Sequence, residues 1–266
     1  MTSVLFLFLT HLGIGIAFTL LLVGEGAGIK FFRFNAGFAS VLLLIALAFR
    51  PEPSGEVPME ALALTSLIVA TGTLLLYWAS IGRALARIRP LLLWTTVICG
   101  GGAIVAQGLG FGVGEMAPAP ARTILSFLSS AALLGGASTA MILGHWYLVL
   151  PSMDVALLQS LVKFHIGTTI LRVVVVAAVV WVALQAWESP SGAGYDRYVM
   201  SLDGVFLWQR VLFGLGSPAL LSYLVWETAK IRSTQSATGI LYVDFFTVVV
   251  GEVLAKYLLV STRVPV

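Results

Sequence analysis

Eight apolar stretches, at 4–24, 35–49, 61–80, 91–112, 124–150, 156–187, 205–228 and 236–260, follow one another along the chain with little between them. The hydrocarbon core of a bilayer is about 30 Å thick, which about 20 helical residues cross. Inside it every backbone N–H and C=O must be satisfied within the segment, so such stretches form helices. Hydrophobic residues fill 59% of the 266 positions and charged residues 10%, and the mean hydropathy is +1.01, which excludes an ordinary soluble domain. The expected fold is an all-α integral membrane protein, about eight transmembrane helices in one polytopic domain over 1–266. It divides naturally into two four-helix halves, 1–113 and 123–260.

The first stretch lacks the positive n-region and the small-residue cleavage pattern of a signal peptide, so it is expected to remain as a span. The second is short and can begin earlier, with Arg33 snorkelling to the interface. Lys30 and Arg33, then Arg83, Arg87 and Arg89, then Lys230 and Arg232 fall in alternate connections. The opposite ones hold only Arg50, Arg122 and Arg197, with Arg263 on the tail, and the positive-inside rule then places both termini outside the cytoplasm. Trp78, Trp94, Trp146 and Trp226 fall near the inner boundary in this arrangement, and Trp181, Trp187 and Trp208 near the outer one. A formal charge of +3 expresses this loop bias and implies no nucleic-acid partner; the bilayer is the expected partner.

One cysteine, Cys99, lies in the fourth stretch, which excludes an internal disulfide framework and any cysteine-held cluster or structural zinc within the chain. No metal site is expected. The longest less apolar segments, 50–60, 115–122 and 188–204, all map to the outer face, and the last reads as a cap or as a contact for a peripheral subunit. The halves show no internal repeat. Clustered glycines, as at 100–102, 108–114 and 135–136, sit in apolar helices, where they allow close helix approach rather than nucleotide binding.

Chemistry concentrates in the last three stretches. Segment 236–260 carries Asp244, Glu252 and Lys256, although an ion near the bilayer centre costs roughly 2.5–3.5 kcal/mol on insertion scales. Glu252 and Lys256, four apart, share a face, while Asp244 lies about 12 Å further along the axis. A pair that locks neighbouring helices is one reading; proton or redox-cofactor handling is the other. In the sixth stretch Arg172 sits near mid-membrane and requires Glu252, Asp244 or backbone carbonyls from another helix, while Lys163 is expected at the inner boundary. Arg210 reaches a depth comparable with Glu252 and Lys256. It either joins them in a pocket that donates hydrogen bonds to a quinone carbonyl, or snorkels outward. His145 and His165 flank the hairpin around Pro151, so that bis-histidine ligation of a b-type haem is geometrically conceivable. His145 equally suits an interfacial aromatic belt. His11, near mid-membrane in the first stretch, is a candidate proton-relay or quinone contact.

With about eight spans, both termini outside, Arg210 opening span seven and Gly251-Glu252-Val253-Leu254-Ala255-Lys256 in span eight, the chain resembles the membrane-anchor subunits of the DMSO reductase and polysulfide reductase type. Local similarity concentrates in 208–256. The resemblance implies an integral subunit of two helical bundles that passes electrons between quinone and an iron–sulfur protein on the outer face of the bacterial inner membrane. By position, Arg210 and Glu252 match that group's recurrent Trp-Arg and Gly-Glu-Leu-type patterns. Gln209 interrupts the first, Lys256 stands where an arginine is expected, and spans two to four hold almost no central ionisable residue. The expectation is a respiratory or photosynthetic electron-transfer subunit, either quinone-binding or a structural anchor, with iron–sulfur, molybdopterin or cytochrome partners. It is at most the quinone-reactive part of an oxidoreductase, because the chain supplies no thiolate cluster of its own. Glu252 is the expected proton shuttle, with Asp244, Arg172 and His165 extending a path inward. A b-type cytochrome, a small transporter or proton conductor, and a purely structural membrane subunit remain the alternatives.

Overall fold

Long helices account for nearly all of the computed structural model, which describes residues 2–52, 58–83, 86–111, 119–186, 194–202 and 204–266. Helix α1 (Thr2–Leu20) is followed by α2 (Gly28–Ala48), α3 (Pro58–Ser80), α4 (Arg89–Phe111), α5 (Pro120–Val149) and α6 (Val155–Ala186). A short α7 (Tyr195–Val199) precedes α8 (Val205–Val211), a π-helical turn (Leu212–Gly216) and α9 (Ser217–Lys230), which run on as one rod, and α10 (Thr234–Thr262) closes the bundle. The described residues contain no β-sheet.

Among the described residues, seven segments are long and apolar enough to cross a membrane: Thr2–Leu20, Glu25–Ala48, Met59–Ser80, Ala86–Phe111, Pro120–Val149, Val155–Gln185 and Val205–Lys230. The second is longer than its apolar window at 35–49, because helix continues back through Arg33 and Lys30 to Gly28. Helix α10 has 29 residues, but its three ionisable side chains set it apart by composition. Trp187, the 112–118 part of the glycine-rich run, and much of segments 50–60, 115–122 and 188–204 lie outside the described residues. Of the last, Tyr195 is buried and stacks on Tyr198, with ring centroids 5.4 Å apart.

Helices α1 and α5 form the centre, and glycine is what lets them meet. A Cβ on Gly15 would stand 2.0 Å from the Ala131 carbonyl oxygen, and one on Gly135 would stand 2.1 Å from the Gly15 oxygen, so the two backbones are in direct contact. A hydroxyl pair, Thr19 with Thr139 at 2.6 Å, ties the helices one turn further on. Helices α2, α3 and α4 pack to one side of this pair, and α6, α9 and α10 to the other. One core cluster draws residues from both halves of the chain.

Outward faces are apolar. Ile68, Val69 and Leu76 of α3, Leu91 and Ile98 of α4, and Ile170, Val174 and Trp181 of α6 are exposed, as expected where lipid is the solvent. Helix α10 follows the same rule: Val243, Phe246, Val253, Tyr257 and Val260 face outward, while Asp244, Glu252 and Lys256 are buried.

Candidate functional site

At the centre of the site is the Glu252 carboxylate, fully buried and held by three cations. Arg172 of α6 grips it two-pronged, Nε to Oε1 at 2.9 Å and Nη2 to Oε2 at 3.1 Å. Arg210 of α8 adds Nη2 to Oε1 at 2.7 Å, and Lys256, one turn along α10, adds Nζ to Oε2 at 2.9 Å. Arg172, Arg210 and Glu252 are 0% exposed and Lys256 2%. Arg210 therefore does not snorkel to the headgroups; its guanidinium turns inward because the carboxylate lies there.

Helix α5 supplies the neutral lining through a serine face. Arg172 Nη1 donates to the Ser126 carbonyl at 3.1 Å, to the Ser126 hydroxyl at 2.9 Å and to the Ser129 hydroxyl at 3.4 Å. Its Nη2 also reaches the Val266 main-chain oxygen at 3.2 Å. Ser130 donates to Glu252 Oε2 at 2.5 Å and accepts from Lys256 Nζ. His11 of α1 approaches the same hydroxyl, Nδ1 to Oγ at 3.3 Å, and lies edge-on to Phe127.

Charge counting exposes an imbalance. The side chains of this cluster bring three cations to one carboxylate. Helix lockers buried in apolar surroundings are stable when their charges balance, because each uncompensated ion carries a desolvation penalty of several kcal/mol. The cationic side chains here outnumber the carboxylate they surround by two. Arg210 also keeps Nε and Nη1 without hydrogen-bond partners although both are buried.

Two turns along the bundle lies a second buried pair. His165 Nε2 of α6 is 2.7 Å from Asp244 Oδ2 of α10, both 0% exposed. Asp244 and Glu252 are eight residues apart on α10, and His165 and Arg172 seven apart on α6, so the two ionic levels are separated by about 10–12 Å. The same two helices build both.

The remaining candidates fall elsewhere. His145 is exposed and its Nδ1 is 2.9 Å from the Tyr242 hydroxyl. His165 packs beside Gly136, whose added Cβ would be 3.5 Å from Nδ1; Gly136 is nine residues, about 13 Å, from His145 along α5. The two rings are engaged separately and do not fit opposite faces of one haem. Lys163 is exposed, with its ammonium 5.1 Å from the Trp226 ring centroid, in keeping with an interfacial place. Among the described residues no three His, Cys, Asp or Glu side chains converge as a metal-ligand set.

Sequence reading by ionisable residues passed over Ser126, Ser129, Ser130 and Gln107. A signal for the serines was present: positions 126, 129 and 130 share one helical face of an otherwise apolar segment. No protein-family model matches the chain, and no curated relative matches it.

Proposed function

We propose that this chain is an integral membrane subunit of an electron-transfer complex, with eight spans and both termini on the non-cytoplasmic side of a bacterial inner membrane. In this reading the Glu252 cluster is its quinone-facing, proton-exchanging site. The observation that carries it is the cation excess: three positive side chains around one carboxylate, all buried. Bound quinone supplies two carbonyl oxygens that gain negative charge and then protons as the ring is reduced. The donor set fits that demand. Arg210 has unused N–H groups beside the cluster, Lys256 carries a transferable proton, and Glu252 fixes both cations in place.

Support for an eighth span comes from α10 itself, whose charges all turn inward while apolar residues face outward. Redox partners on the outer face, of the iron–sulfur, molybdopterin or cytochrome kind, complete the complex, because quinone chemistry needs an electron relay beyond this chain. Substitution Glu252→Gln in the complex purified from native membranes is the test. Quinol-dependent turnover falls by at least tenfold if the cluster serves the reaction; unchanged turnover removes the reading, as does purification of the chain without any redox subunit.

A second reading is favoured by one observation, the His165–Asp244 pair about 12 Å along α10 from Glu252. Ionisable residues buried at successive depths of a bundle are a recurrent feature of proton relays in membrane proteins. Proton flux into liposomes holding this chain alone distinguishes it from the quinone reading.

A further inference from the structure

Ser130 sits where three groups meet, and the valence of a hydroxyl dictates their protons. Its Oγ lies 2.5 Å from Glu252 Oε2 and 3.3 Å from His11 Nδ1, and it also meets Lys256 Nζ. A hydroxyl has one proton to give and two lone pairs to offer. Glu252, ringed by three cations, is an acceptor only, and the ammonium is a donor only. The Ser130 proton therefore goes to Glu252, one lone pair takes Lys256, and the other takes a proton from His11. His11 then carries its hydrogen on Nδ1, leaving Nε2 as a bare lone pair.

His11 Nε2 makes no hydrogen bond of ordinary geometry, and neither does either end of the Gln107 amide from α4, although the amide lies near enough to act electrostatically on the imidazole. Gln107 is 7% exposed and His11 0%. Buried polar groups left over in an apolar bundle are the setting in which an ordered water is held.

Among the three cations only Lys256 has a proton to release, since guanidinium stays protonated in proteins. We propose that His11 and Ser130 form a proton relay that reloads Lys256, with His11 as the Nδ1–H tautomer receiving each proton at Nε2 from water beside Gln107. This rests on the reading of the Glu252 cluster as a proton-exchanging site. Each cycle balances. Lys256 gives one proton to a substrate oxygen and becomes the amine; the Ser130 hydroxyl turns and passes its proton to Nζ. The His11 Nδ1 proton moves to Ser130 Oγ as a hydronium ion arriving at the water site gives one proton to Nε2 and remains as water. His11 ends neutral as the Nε2–H tautomer, and the starting tautomer returns when the ring turns Nδ1 toward the water, which protonates it there as Nε2 releases its own proton.

The chain has three histidines, so nitrogen NMR of the 15N-histidine-labelled full chain in nanodiscs resolves each of them. The expected result is an Nδ1–H tautomer for His11, shifting to Nε2–H in Ser130→Ala. An Nε2–H ring in the unsubstituted protein overturns the relay. Solvent exchange of the Lys256 ammonium protons is the second readout, expected to slow by about a hundredfold in Ser130→Ala. Gln107→Leu, remote from the ion cluster, is expected to slow it likewise and serves if Ser130→Ala does not fold. Exchange unchanged in a folded variant overturns the relay whatever quinol does. Ser130-dependent exchange in a protein whose complex shows no quinol-dependent turnover sustains the relay and removes the quinone reading alone.

Discussion

Gly214 and Gly251 meet backbone to backbone: a Cβ on Gly251 would lie 2.1 Å from the Gly214 Cα, and one on Gly214 would lie 2.6 Å from the Gly251 Cα. Gly214 belongs to the π-helical turn between α8 and α9, and Gly251 immediately precedes Glu252. The same contact confines the Arg210 guanidinium, since Nη1 would be 2.1 Å from a Cβ on Gly214 and 2.9 Å from one on Gly251. A local widening of the helix, of the kind often found at functional sites, and two residues without side chains together place Arg210 on the carboxylate.

Gly251→Ala is therefore expected to cost about 1–3 kcal/mol, the usual range for overpacking, because the obstructing atoms are backbone and cannot rotate away. Thermal unfolding in detergent reads this directly. A double-mutant cycle between Arg210 and Glu252 in that background should show a smaller coupling than in the parent. Parental coupling would mean that the glycine contact does not position the arginine.

Arg172 makes the largest set of polar contacts in the cluster, two to Glu252, three to Ser126 and Ser129 and one to the Val266 oxygen. Arg172→Ala should destabilise by about 3–5 kcal/mol, the cost of breaking a buried pair. Glu252→Gln leaves three cations around a neutral amide, so the pair Arg172→Met with Glu252→Gln should be less destabilising than the sum of the singles. Strict additivity in equilibrium unfolding would show that the two do not act as a pair.

The helical architecture was legible because apolar length alone demands it, and so was Arg172's need for a partner from another helix, although the choice among Glu252, Asp244 and backbone carbonyls was not. What stayed hidden has physical reasons. His165 and Asp244 are 79 positions apart in sequence, and only the α6–α10 juxtaposition aligns them. Arg210 read equally well as a snorkelling side chain, since the decision depends on Gly214 and Gly251, which carry no chemistry of their own. Ser130 and Gln107 are unremarkable in composition and gain meaning only from which charged groups stand beside them. The second helix looked short because Lys30 and Arg33 interrupt hydropathy without interrupting helix.

His145 carries little by comparison. Its ring is exposed and bonded to Tyr242, so His145→Ala is expected to cost about 0.5–1.5 kcal/mol, one ordinary hydrogen bond. Reduced-minus-oxidised spectra of the protein should be the same before and after the substitution. Loss of a haem band would overturn the separation of His145 from His165.

The His165–Asp244 pair offers the sharpest division between a helix lock and a proton path. As a lock, it does only what apolar packing does, and replacing both partners by hydrophobic residues of similar size is often neutral or stabilising, whereas removing one strands a buried charge. His165→Leu with Asp244→Leu should accordingly fold at least as well as either single substitution, as judged by unfolding midpoints. If the pair only locks α6 to α10, this double variant also retains full activity, whether that is quinol turnover or proton flux. As the inner station of a path toward Glu252, the pair cannot be replaced by hydrocarbon, because about 13 Å of bundle would then separate Arg172 from Lys163, the next titratable group on α6. The proton-path reading thus expects a stable double variant with proton transfer reduced by at least tenfold, and full activity in a well-folded double variant would reduce the pair to helix packing.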